Sequence, residues 1–218
     1  MGDPLGGAVI RPARAEDAPF LAWSILAAGR AAGARGWYDI ALGLPEEDCL
    51  ALLARLVVAR PVCWWHYSNA LVAEEDGVPA AALCAFGSAE GWGDSEGALA
   101  AAAAPLGWRG AEVAEVWRRG AYVFTCTSPA SGDLWTIENV ATRPQSRGRG
   151  LAGALLDRAL TRGRELGYGL AQLSFVIGNR PAEWAYLKAG FTLAEEKRHP
   201  QFEAATGAPG LKRFVRPL

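Results

Sequence analysis

The chain has 218 residues, 51% of them hydrophobic, with a formal net charge of -1 and a pI near 6.2. That length buries a large core, and so even a charge balance excludes a global field drawing the protein to nucleic acid or an anionic membrane. No apolar run of membrane length and no N-terminal signal segment occurs, and Cys49, Cys63, Cys84 and Cys126 form no Cys-x-x-Cys pair, which points to reduced thiols in the cytoplasm.

Residues 1–6 read as a loose tail. Ala8 to Arg11 is a short strand, and acidic Glu16 and Asp17 then open an apolar helix running to about Arg30. Pro45-Glu46-Glu47-Asp48 starts a second helix, with Leu50, Leu53, Ala54 and Val57 at helical spacing, ending near Arg60-Pro61. A hairpin follows: Ala70 to Glu74, the turn Glu75-Asp76-Gly77, then Val78 to Phe86. Residues 88–132 read as an insertion, with helices around Gly97–Ala104 and Ala111–Tyr122, between two strands that would otherwise be neighbours. Leu134 to Val140 is a buried strand, and a helix from Leu151 carries Leu155, Leu156, Ala159 and Leu160 on one face until Gly167 ends it. Leu170–Ile177, a short helix from Pro181 to Ala189, Phe191–Glu195 and Leu211–Val215 complete the pattern, the last strand able to pair with or exchange into a second copy in a homodimer.

Chemistry concentrates in the segment from Val140 through Pro144 to Gly153. A strand runs into an Arg-studded glycine turn that opens a helix, which is how a protein holds a pyrophosphate. Gly148 and Gly150 let the backbone come close, while the first-turn amides of the helix point outward at the positive end of its dipole. Arg147 and Arg149 add charged donors at the same place, and without an anion there they would oppose that dipole.

Gln145-Ser146-Arg147-Gly148-Arg149-Gly150-Leu151-Ala152 resembles the Gln/Arg-x-x-Gly-x-Gly/Ala loop of the GNAT superfamily of N-acetyltransferases. Asn179, Ala182, Tyr186, Lys188 and Gly190-Phe191 stand at the spacing of that family's second motif. The resemblance implies a single mixed α/β (α+β) domain. Its central sheet would have six to seven mostly antiparallel strands, with helices on both faces and strands four and five splayed. It implies acetyl-CoA as co-substrate and an amine as acceptor. The backbone of Val140, Ala141 and Thr142 would bind the pantetheine arm like an added strand, Gly148 to Gly153 (Arg149, Leu151 and Ala152 included) would cradle the pyrophosphate, and Asn179 would hold the cofactor from the adjacent strand end. Tyr186 would face the sulfur and protonate the departing thiolate.

An ammonium must lose a proton before it can attack a thioester, and Glu138 is the candidate base, placed by the two-residue strand period on the same face as Val140. Some family members carry a Glu on strand five, five residues before the Asn; here that position is Ser174, which could order a water. The oxyanion would be held by a backbone N–H near Val140.

Plainer readings stand beside these. Asn179 is a natural helix cap, Tyr186 an ordinary half-buried aromatic, Glu138 a solvated strand carboxylate, and Arg147 and Arg149 surface charges. Trp37, Tyr38, Trp64, Trp65, His66, Trp92, Trp108 and Trp117 read mostly as core, with an amine pocket as the sharper alternative. His66 and His199 show no metal-ligand spacing, so no metal is expected. Two other function classes remain: a catalytically silent acyl-CoA-binding module, and a Rossmann oxidoreductase, since residues 148–153 also fit Gly-x-Gly-x-x-Gly. Against the second, about six residues separate the strand from the first glycine, and no acid closes the following strand to meet a ribose.

Overall fold

A computed structural model describes residues 7–31, 33–128 and 132–218; the tail at 1–6 and residues 129–131 of the insertion lie outside them. Strand β1 (Val9–Pro12) leads through a short 3-10 turn into helix α1 (Ala18–Arg30). Arg11 fixes that corner, gripping buried Asp17 through two hydrogen bonds of 2.7 and 2.8 Å and also pairing with Glu74. The Arg11 guanidinium holds the Asp17 carboxyl below its ordinary range.

Helix α2 (Trp37–Leu42) was not expected. Its signals are short-range: Asp39 accepts the Gly36 N–H at 2.8 Å, and Gly43 closes it in the left-handed region. Helix α3 (Glu46–Leu56) stops short of the expected boundary. Strands β2 (Ala70–Glu75) and β3 (Val78–Gly87) pair through a two-residue loop, Asp76-Gly77, with φ of 51° and 77°. This is the turn chemistry that the sequence carries.

The segment expected to be an insertion contains α4 (Ser88–Gly91), α5 (Ser95–Ala103) and α6 (Gly110–Gly120), α5 resting on α3 and α6 on α2. Strand β4 (Trp135–Thr142), helix α7 (Leu151–Glu165), strand β5 (Leu170–Val176) and helix α8 (Arg180–Lys188) follow in the expected order. Strand β6 (Thr192–Arg198) and strand β7 (Gly210–Pro217) are then separated by helix α9 (Pro200–Thr206), which the sequence reading left out although Pro200 opens it and Gly207 (φ 77°) closes it.

Among the described residues seven strands form one sheet in the order β1-β2-β3-β4-β5-β7-β6, antiparallel except at β4–β5. A mostly antiparallel sheet is incompatible with the doubly wound parallel fold of a Rossmann enzyme. Edge pairing of the last strand with a second copy is excluded by its place in the sheet: β7 is hydrogen-bonded to β5 on one side and β6 on the other. Among the described residues, no helix is long and apolar enough to cross a membrane.

Two cores flank the sheet, one under α1, α3, α5 and α6 and the other under α7 and α8. In the second, Gly163 lets α7 settle on Trp135, whose indole donates to the Ala159 carbonyl at 2.8 Å. A methyl on Gly163 would lie 2.7 Å from that ring. Gly163→Ala is therefore expected to lose about 1–3 kcal/mol through overpacking, against a helix-propensity gain of about 1 kcal/mol. Urea unfolding measures this, and an unchanged midpoint would show that α7 shifts freely.

Candidate active site

The site begins where β4 leaves β5. Their parallel pairing spans only Trp135–Ala171 and Thr136–Gln172, closed by a 3.1 Å hydrogen bond from Gln172 Nε2 to Thr136 Oγ1. Beyond it the strands diverge, so the β5-facing backbone of the remaining β4 residues has no strand partner among the described residues. Val140, Ala141 and Thr142 lie on this open stretch and line a cleft of about 1700 Å³.

A bulge changes what β4 presents. Cys84 pairs with Glu138 and Ala82 with Ala141, so Asn139 and Val140 together oppose Leu83, with Asn139 at φ 56°. The extra residue breaks the two-residue alternation. Val140 packs against the α7-side core, whereas Glu138 points with Cys84 to the α1 side, towards Tyr38. The expectation that Glu138 and Val140 share a face is thus corrected.

Glu138 is half-buried, and burial alone pushes its carboxyl up to about 7. Its charge also raises the Tyr38 and Tyr186 phenols and the buried Cys84 thiol, the last to about 12, although desolvation is the larger cause for each. Tyr186 is 7% exposed, its ring 5.3 Å from that of Phe175 and 6.4 Å from that of Phe191, and it lines the same cleft. Exposed Ser174 lines it too, paired across the sheet with Arg213.

The glycine turn lies at the other end. Gly148 and Gly150 have φ of 79° and 80°, a region that a side chain would strain, and no atom lies within 4 Å of where a Cβ would stand at 148, 150 or 153. Gly150 has no side chain with which to cap α7, and the helix's own bonding starts with Ala154 N–H to the Gly150 carbonyl. The amides of Leu151, Ala152 and Gly153 are therefore left facing the cleft they line. Arg147 lines it as well, but Arg149 turns away to Glu75 at 3.0 Å, and Ser146 donates to the same carboxylate at 2.5 Å. Arg149 thus ties the turn to β2, a different place from the expected one at the pyrophosphate. Asn179 reaches the cleft while its Oδ1 accepts the Ala182 N–H at 3.3 Å, the capping role expected as the plain alternative.

On the α1 side, Trp37, Tyr38, Trp64, Trp92 and Trp117 line the cleft; Trp65, His66 and Trp108 do not. Tyr38, one of the aromatics named for an amine pocket, and Asn139, which was missed as a site residue, flank Glu138. Asn139 carried a faint signal, because Asn tolerates the left-handed conformation that a bulge needs. Among the described residues, no group of three or more His, Cys, Asp or Glu could hold a metal ion.

The acetyltransferase (GNAT) family model matches residues 36–191, so the chain belongs to that family and is an acyltransferase by class. Several solved structures share its fold. N-acetyltransferase from Staphylococcus aureus Mu50 superposes with a TM-score of 0.65 at 21% identity, over 95% of this chain and 100% of that one. The Drosophila melanogaster polyamine N-acetyltransferase gives 0.54 at 18%, over 97% and 100%. A putative acetyltransferase from Salmonella typhimurium, solved with its cofactor acetyl-CoA, gives 0.52 at 18%, over 97% and 94%. A sequence search of curated proteins gave no match.

Proposed function

We propose that this chain is a single cytoplasmic domain that moves the acetyl group of acetyl-CoA to a primary amine by direct attack within a ternary complex, residues 88–132 being an insertion on the acceptor side. The observation that carries this reading is the cleft itself. An unpaired β4 edge, a glycine turn with free helix amides, the half-buried Glu138 and the buried Tyr186 all face one space. The chain's residues fit acetyl-CoA: Val140 to Thr142 offer strand-like hydrogen bonds to an amide-bearing arm. Gly148, Gly150 to Gly153 and Arg147 offer donors to a pyrophosphate.

Glu138 takes the proton of the incoming ammonium. As the N–C bond forms and the C–S bond breaks, Tyr186 gives its phenolic proton to the leaving sulfur; the second proton of the now cationic nitrogen returns to the Tyr186 oxygen through water, and Glu138 releases its proton to solvent. Asn179 caps α8 through Oδ1, which helps to fix Tyr186, and its Nδ2 donors remain for the cofactor. No covalent enzyme intermediate is needed, and all four cysteines are buried.

Thermal unfolding with acetyl-CoA, CoA and NAD in turn tests the donor. A ligand at 100 times its dissociation constant adds about 2.7 kcal/mol of stability. A rise in Tm with both CoA species and none with NAD is expected. No rise with either CoA species overturns the reading, while binding without turnover of any amine would favour a silent acyl-CoA module.

A further inference from the structure

The cleft's α1 side has a composition that selects among amines. Its wall is aromatic from mouth to floor: Trp92 at the rim is 43% exposed and Tyr38 at the depth is 4% exposed. Trp64 meets Trp92 edge-on at 5.2 Å, and Trp37 lies 6.1 Å from Trp117 and edge-on to Tyr38 at 5.1 Å. These rings are held in place. Trp37 donates its indole N–H to the Gly120 carbonyl at 3.0 Å, where a Cβ on Gly120 would stand 2.7 Å from the ring, and Trp65 donates to the Tyr38 hydroxyl at 2.9 Å. A fixed wall of ring faces and edges suits another flat ring, which buries apolar area and stacks without new ordering cost.

The charges narrow the choice further. Among the described residues, the carboxylates lining the cleft are Glu138, Asp157 and Glu195. Asp157 belongs to α7, on the side of the glycine turn. Glu195 is already committed: it accepts from Ser128 at 2.5 Å and lies 3.6 Å from Arg213 Nε and 3.7 Å from Lys197 Nζ. Arg30, also on the lining, is engaged with Asp39 at 2.6 Å and Glu46 at 2.7 Å. The ring side therefore offers one uncommitted carboxylate, Glu138, while Arg213, across the cleft on β7, is paired with Glu195. One ammonium can be met there; a second would be desolvated among the indoles with no counter-charge.

We infer that the acceptor is an aromatic monoamine, a flat apolar ring bearing one primary amine, held by the Trp37, Trp64, Trp92 and Trp117 wall with its nitrogen at Glu138. This rests on the proposed acetyl transfer and adds the substrate class to it.

The test pairs a binding measurement with a substrate panel. Acetyl-CoA binding is read by calorimetry, and acetylation rates are then measured for phenethylamine and tryptamine against putrescine, spermidine and agmatine. The aromatic amines are expected to exceed the di- and polycations at least about 50-fold in kcat/KM, a ratio that one lost counter-charge or one lost ring contact commonly sets. Trp92→Ala, at the 43% exposed rim, is expected to raise KM for tryptamine about tenfold while kcat and acetyl-CoA affinity stay within about twofold, and Trp92→Phe to recover most of the loss. If acetyl-CoA does not bind, the proposed function and this inference fall together. If acetyl-CoA binds but the polycations are preferred, no aromatic amine is acetylated, or Trp92→Ala and Trp64→Ala both leave KM unchanged, this inference alone is overturned.

Discussion

Tyr186→Phe is expected to lower kcat by about 10²–10⁴-fold, the range that a positioned general acid supplies, while the dissociation constant for acetyl-CoA stays within about twofold. The asymmetry follows from where the ring lies. Phe175 and Phe191 hold the aromatic body, and a phenylalanine keeps those contacts, so only the hydroxyl is lost. Burial and the nearby Glu138 carboxylate both raise the phenol above its ordinary value, so it remains protonated across the neutral range and always has a proton to give. A high proton affinity makes it a weak acid towards a thiolate, and its contribution must come from placement rather than driving force. Single-turnover kinetics with saturating acetyl-CoA would isolate the chemical step. An unchanged rate would make Tyr186 a packing residue, the plainer reading of a half-buried helix aromatic. Thermal unfolding should change little, since the replacement keeps the ring in its apolar setting.

The sequence carried the parts of this site that depend on local chemistry. A Pro, two glycines and a following apolar stripe mark the turn into α7 at Gly150, and the Asp76-Gly77 turn marks the hairpin, because each needs backbone conformations that few residues adopt. What was not legible depends on pairing at a distance. The bulge at Asn139 follows from the register of β4 on β3, and it moved Glu138 off the face that simple alternation assigns. The place of β7 between β5 and β6 is equally non-local, and it removes the edge pairing that the last strand suggested. Arg149 shows the same limit for charge: its neighbours in sequence mark a phosphate site, yet Glu75, 74 residues away, takes it. The short helices α2 and α9 were missed for another reason, since six or seven residues give too few turns for a hydrophobic stripe, and only their caps mark them.

Glu138→Gln separates the two roles that burial gives this carboxylate. As a base it must be ionised, and with its pKa pushed up to about 7, activity in the native enzyme should rise through neutral pH and level off above it. The glutamine variant cannot accept the proton, so kcat/KM is expected to fall by about 10²–10³-fold and the rise near pH 7 to vanish, leaving only the slope set by the free amine. Stability should move in the opposite direction. A carboxyl whose folded pKa lies above its ordinary 4.5 binds its proton more tightly when folded; the stability this brings is full below about pH 4.5, declines as pH rises, and is gone above about 7. Above that pH the native chain bears the whole cost of a desolvated charge, which the glutamine does not. The Tm difference, variant minus native, should therefore be more positive at pH 8 than at pH 5. Loss of activity without that pH-dependent difference would mean that Glu138 is well solvated and acts through a partner. The difference without loss of activity would leave a buried carboxylate with no part in proton transfer, and a water ordered at Ser174 would become the base to test.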